Sequence, residues 1–162
     1  QGASEIVAID PIPYRREMAL KLGAARALHP DDAWPADPDT GAFEIVIEAA
    51  GVPAAIDLCS DLVCQHGRLT LVGYHESREG MRTVNMQRWN FKAIDVINGH
   101  VRRHGEKMQA MRSAIELLAA GELVTEPLVR FYPLAMVDEA FADFAASEEG
   151  LFKAVLIPPA DG

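Results

Sequence analysis

Cysteine is scarce. Cys59 and Cys64 are the two in 162 residues, too few for a disulfide framework and in keeping with a reducing compartment. Basic residues are also short, 15 Lys and Arg against 24 Asp and Glu. The resulting formal net charge of −9 argues against the phosphate-neutralising surface that a nucleic-acid binder requires. No apolar run approaches the roughly 18 residues that span a bilayer. The first 20 residues carry acids where a secretory signal would have a basic start and an apolar centre. The expectation is a cytoplasmic protein with neither nucleic-acid nor membrane partners. There is no Gly-x-Ser-x-Gly elbow, no HExxH, and none of the 12 glycines stands in a Gly-x-Gly arrangement, so nothing nominates a nucleophile, a general base or a local phosphate loop. An initiating methionine is missing as well: the chain opens Gln1-Gly2-Ala3-Ser4 and passes at once into a strand-like run, from which we expect a piece of a longer polypeptide.

What is present alternates between strand and helix patterns. Glu5 to Asp10 is a β-branched run ending in an acid, followed by a Pro-x-Pro turn and by Tyr14, Met18 and Leu22 at helical spacing, closed by Gly23. Arg26 to His29 is a short apolar stretch before a Pro- and Asp-rich loop over residues 30–41. Phe43 to Glu48 predicts a second strand. After Ala49-Ala50-Gly51, a helix begins near Pro53 with Ile56, Cys59, Leu62 and Val63 on one face. Gln65-His66-Gly67 reads as a turn, Arg68 to Gly73 as a strand, Tyr74 to Asn90 as a polar loop and Ile94 to Gly99 as another strand. Met108, Met111, Ile115 and Leu118 predict a helix over 107–120, and Val137, Ala140, Phe141 and Phe144 the inner face of another over 136–146. Ala154 to Ile157 is a last short strand before Pro158-Pro159. Near-continuous apolar strands alternating with helices point to an α/β fold with a parallel sheet.

Asp10 is the most informative single residue. An acid at the carboxyl end of an apolar strand that opens into a helix is where dinucleotide-binding folds accept hydrogen bonds from the adenosine ribose, each contributing about 1.5–3 kcal/mol. The same position equally suits a solvated Asp that caps the next turn. The glycine fingerprint that accompanies the binding role lies about 20 residues before the acid, and only nine residues precede Asp10. Ala50-Gly51 and Val72-Gly73 place small residues at strand ends, where an open parallel sheet binds ligands and where any α/β protein also uses glycine to turn. His29, His66, His75, His100 and His104 with Cys59 and Cys64 supply one Cys-x4-Cys pair and no second pair, so a closed zinc site is not expected in this chain.

Taken in order, these segments resemble the carboxyl-terminal half of a medium-chain dehydrogenase/reductase, the superfamily of zinc-type alcohol, sorbitol and threonine dehydrogenases. The resemblance runs from Gly2 to Pro158. It rests on Ile6 to Asp10 with Arg16 to Ala24, on Phe43 to Gly51, on His66 to Gly73 and on Ile94 to Gly99. Ala114 to Gly121, Pro127-Leu128, Tyr132 to Leu134, Glu139 to Phe141 and Lys153 to Leu156 continue it. It implies a Rossmann-like doubly wound parallel sheet, incomplete because the first strand and its Gly-rich phosphate loop are absent from the chain. Residues 1–150 would form this partial NAD-binding domain and 151–162 a terminal strand returning toward a catalytic domain that these residues do not include.

The resemblance also implies roles. Asp10 would hold the adenine ribose of NAD with Arg15 near the same hydroxyls, and Ala50 and Gly51 would line the cofactor cleft. Val72, Gly73 and Tyr74, with Gly99 and His100, would present backbone groups to the nicotinamide carboxamide, and Lys153 would reach the pyrophosphate. The intact enzyme would be an NAD-dependent oxidoreductase acting on a small alcohol or polyol, with any zinc held outside this chain, and would be a homo-oligomer. This portion alone would be inactive, and the missing central strand would leave two unpaired edges that favour self-association or poor NAD binding. A reading of a different class is a non-catalytic oligomerisation or interaction module that pairs through the strand near Ile94 to Gly99.

Overall fold

A computed structural model of the chain describes residues 2–32, 37–146 and 149–159. It divides into two compact units, residues 1–29 with 108–162 and residues 30–107.

In the first unit, β1 (Val7–Ile9) leads through the turn at Pro11 into α1 (Pro13–Lys21), and the chain returns as β2 (Arg26–Leu28). The two strands pair in parallel, Ala8 opposite Ala27. Pro13 sits at the start of α1, where its missing N–H costs nothing, and Gly23 follows the helix with φ 102°, a conformation that side chains resist. Most of the short apolar stretch from Arg26 to His29 thus becomes a strand. β6 (Val129–Pro133) and β7 (Lys153–Ile157) form a second parallel pair, with α5 (Val137–Ala145) between them in sequence. Ala140 of α5 packs with Tyr132 and Leu151 in a small core, flanked by Ala154 and Leu156. The pattern over 136–146 placed Phe141 and Phe144 on the inner face, yet both are exposed. A two-stranded sheet is narrow, and the small Ala140 lets the helix approach it along a single row.

The second unit is a three-stranded parallel sheet in the order β3 (Phe43–Glu48), β4 (Val63–Leu71), β5 (Asp95–Asn98). α2 (Pro53–Leu62) crosses from β3 to β4, and Val46, Ile56, Cys59, Leu62, Val63 and Leu69 are buried, each larger side chain contributing about 1.5–3 kcal/mol. The expected turn at Gln65-His66-Gly67 lies inside β4 as an irregularity. His66 has φ 57°, and the register against β3 shifts between Phe43 and Ile45. The stretch expected to be loop up to Asn90 contains α3 (Met86–Lys92), started by Asn85, whose Oδ1 accepts from the Arg88 N–H at 3.0 Å, and ended by Ala93 at φ 50°. Its inward residues are Trp89 and Lys92, so no apolar repeat betrays it.

Lys92 explains why α3 docks where it does. The residue is fully buried, and its ammonium donates to the carbonyls of Ser60, Asp61 and Val63 at 2.8, 3.0 and 2.8 Å. Two of these are among the last carbonyls of α2, which the helix itself cannot satisfy and where positive charge is favoured. The Trp89 indole N–H donates to Ser60 Oγ at 2.9 Å, and Arg88 pairs with Asp61.

The boundary between the units falls within α4 (His104–Ala119). The helix forms where the period predicted it, but Met108, Met111, Ile115 and Leu118 are all exposed and no residue of α4 is buried. No helix among the described residues is long and apolar enough to cross a membrane.

Candidate functional site

In the first unit the strand-to-helix corner after β1 holds Asp10. Its Oδ1 accepts the Ile12 N–H at 2.8 Å, its main-chain carbonyl accepts from Arg16 at 2.8 Å, and its Oδ2 lies 3.8 Å from the Arg15 guanidinium. The turn-capping role is therefore realised through one oxygen, while the other faces Arg15 at a partly exposed surface. Tyr14, beside it in the first turn of α1, stacks edge-on against Phe152 at 5.4 Å between centroids. Lys153 opens β7 on a different sheet of the same unit and is exposed, so the structure does not join it to Asp10 within one sheet.

In the second unit the carboxyl ends of three adjacent parallel strands bring together Ala50, Gly51, Val72, Gly73, Tyr74, Gly99 and His100. The Val72 and Gly73 N–H groups both donate to the Glu48 carbonyl, at 2.8 and 2.9 Å, and the Gly99 N–H donates to Leu71 O at 2.8 Å. The His100 N–H donates to Asn98 Oδ1 at 2.9 Å, and its ring meets the Tyr74 ring edge-on at 6.3 Å. The glycines have a packing reason. A Cβ on Gly73 would stand 2.3 Å from the Gly51 nitrogen, and one on Gly51, at φ 73°, would stand 2.5 Å from the Tyr74 carbonyl oxygen. The two turns interlock backbone to backbone, which no side chain permits.

Sequence reasoning missed the groups that hold these turns. Glu48, the last residue of β3, has a side chain with 0% exposure. Its Oε1 accepts the N–H groups of Ala50 at 2.9 Å and Gly51 at 2.7 Å, and its Oε2 lies 2.9 Å from His75 Nε2. Arg82 Nε donates to His75 Nδ1 at 2.9 Å, and its terminal nitrogens donate to Gly51 O, Ser77 O, Ser77 Oγ and Met81 O. A signal existed: β3 ends in an acid after an apolar run just as β1 does. Cys59 lies within this acid's field. Burial first, and Glu48 second, push its thiol up to about 12, which suits packing and not nucleophilic chemistry. Among the described residues no three His, Cys, Asp or Glu side chains converge as a metal site.

Residues 1–120 match the family model described as zinc-binding dehydrogenase. The chain belongs to that family, and its fold is the medium-chain dehydrogenase/reductase type. The 2-dehydro-3-deoxy-L-galactonate 5-dehydrogenase of Pseudoalteromonas atlantica is 26% identical over 154 residues, covering 91% of this chain and 43% of the relative. The L-threonine 3-dehydrogenase of Thermococcus kodakarensis is 26% identical over 164 residues, covering 97% and 45%. An alcohol dehydrogenase from Thermus sp. ATN1 superimposes with a TM-score of 0.80 at 27% identity, over 97% of this chain and 46% of that one. The L-idonate 5-dehydrogenase of Escherichia coli shares the fold, with a TM-score of 0.82 at 23% identity over 96% and 43%. The chain thus spans less than half the length of each of these relatives.

Proposed function

We propose that this chain is the cofactor-binding portion of an NAD-dependent alcohol or polyol dehydrogenase, with residues 1–150 as the partial dinucleotide domain and the last residues leading toward a catalytic domain. The observation that carries the reading is Asp10, at the carboxyl end of a parallel strand, with one carboxylate oxygen tied to the turn and the other turned toward Arg15. That oxygen suits a ribose hydroxyl and would repel a 2′-phosphate. Ala50 and Gly51 would line the cofactor cleft, Val72, Gly73, Tyr74, Gly99 and His100 would form the nicotinamide side, and Lys153 would serve the pyrophosphate. NAD, when bound, supplies the hydride acceptor for oxidation of the substrate carbon. Any zinc would be held by residues outside this chain, and the active protein would be a cytoplasmic homo-oligomer.

The test is thermal unfolding, with NAD and with NADP, of the intact polypeptide to which this portion would belong. NAD at 100 times its dissociation constant should stabilise by about 2.7 kcal/mol, and Asp10→Ala should abolish that protection. Better protection by NADP would overturn the preference for NAD. Protection by neither would overturn the cofactor role and favour the interaction-module reading, which the exposed Val96 and Ile97 on β5 support.

A further inference from the structure

We propose that Glu48, His75 and Arg82 form a polar clamp that positions the interlocked turns at Gly51 and Val72–Tyr74 for the cofactor, with His75 as the link between the two charged ends. The inference rests on the cofactor reading above and assigns these three side chains a positioning role, none of them touching the reacting atoms.

The direction of each hydrogen bond follows from chemistry. Arg82 Nε can only donate, so His75 Nδ1 is the acceptor at 2.9 Å. The ring proton therefore sits on Nε2 and is donated to Glu48 Oε2 at 2.9 Å. A neutral imidazole then bridges a carboxylate and a guanidinium, an arrangement in which each bond polarises the next. Gly51 is gripped at both ends, its N–H by Glu48 at 2.7 Å and its carbonyl by Arg82 at 3.2 Å. Because the Gly51 and Gly73–Tyr74 backbones interlock, fixing the first fixes the second.

Apolar packing cannot supply this order. Tyr74 is 71% and Met81 72% exposed, and between Tyr74 and Asn85 no described side chain is buried. His75 and Arg82 are half-buried and bind this segment to Glu48 and Gly51, 27 and 31 residues earlier in the chain. A carboxylate with no exposure is costly to keep unless both its oxygens are hydrogen-bonded, and one that served only its own turn would leave Oε2 without a partner. The second oxygen is what makes the turn depend on the loop.

The experiment is an NADH fluorescence titration of the intact polypeptide to which this portion would belong and of its H75F, H75Q and R82K variants, with the melting temperature of each taken alongside and affinity expressed per folded molecule. H75F removes both ring bonds. R82K keeps the charge but loses the fork that holds His75, Ser77 and Gly51 together. Each should weaken NADH at least tenfold, the loss of one charge-assisted hydrogen bond. In H75Q the amide nitrogen can donate to Glu48 and the amide oxygen can accept from Arg82, so affinity should return to within about threefold of wild type. A purely structural role would lower melting temperature in all three without this pattern of loss and rescue. Wild type that binds neither NADH nor NADPH overturns the cofactor reading, and the clamp's role falls with it. Wild type that binds while H75F and R82K stay within threefold overturns the clamp alone. So does failure of all three variants to fold, which assigns the network to folding. If only H75F fails to fold, R82K decides.

Discussion

Lys92→Met tests whether a buried ammonium can act as a net stabilising helix cap. Methionine keeps most of the volume and the unbranched apolar stem, so packing changes little. Three donors disappear, leaving the carbonyls of Ser60, Asp61 and Val63 without their ammonium partner. A buried carbonyl left unpaired costs about 1–3 kcal/mol, and loss of the positive charge at the end of α2 costs about 0.3–1 kcal/mol more. Against this stands the relief of desolvating the ammonium, the main cause that lowers the pKa of Lys92, with Asp61 working the other way. Taking the low end for each carbonyl, the substitution should destabilise by about 3 kcal/mol. Urea unfolding read by tryptophan fluorescence suits the purpose, since the Trp89 indole is bonded to Ser60 Oγ in the same cluster. A K92M protein within about 0.5 kcal/mol of wild type, or more stable, would refute the reasoning, because desolvation would then cancel what the three bonds return. The pH dependence has a definite sign. With Lys92 below its ordinary 10.5 in the folded state, the unfolded chain holds the proton to higher pH. Stability relative to K92M should rise with pH through that window and level off above 10.5.

Two further outcomes follow from titratable groups. Cys59, with its thiol pushed up to about 12, should resist alkylation at pH 8 until the protein unfolds, while the partly exposed Cys64 reacts in the native state. Mass spectrometry of the labelled peptides separates the two, and native labelling of Cys59 at the rate of Cys64 would contradict the burial. Tyr132 donates its hydroxyl proton to Asp143 at 2.9 Å, and burial, the largest cause, raises its pKa above the ordinary 10.0. The neutral form is thus favoured on folding, so its contribution is whole below pH 10.0 and is lost as pH climbs from there through the folded value. Tyr132→Phe should remove that alkaline sensitivity, and an unchanged pH profile would dismiss it.

Strands were legible where both faces of a parallel sheet must be apolar: Ile6 to Ile9, Phe43 to Ile47 and Leu69 to Leu71 announce themselves by β-branched and leucine runs. α3 was hidden because its buried face is Trp89 and Lys92, and a lysine at a core position inverts the pattern that a periodicity argument reads. The apolar stripe of α4 was legible, but its exposure was not, since a stripe fixes the period of a helix and not the burial of its face. The same division runs through the candidate site. Asp10 stood out because its argument is local, an acid between a strand and a helix, and its capping bond spans two residues. Glu48 ends β3 in the same way, yet its role depends on His75, 27 residues further along the chain, and on an arginine beyond that. Nothing in the mostly polar stretch from His75 to Arg82 distinguishes a stapled loop from a solvated one until the strand ends are placed side by side. The family blocks point to strands and turns because those are short-range features, whereas His75 and Arg82, which join Glu48 in setting one turn against another, come from a loop between the blocks. In this chain the bonds of Glu48, His75, Arg82 and Lys92 tie together segments of the second unit that lie 27 to 32 residues apart, which no local pattern records.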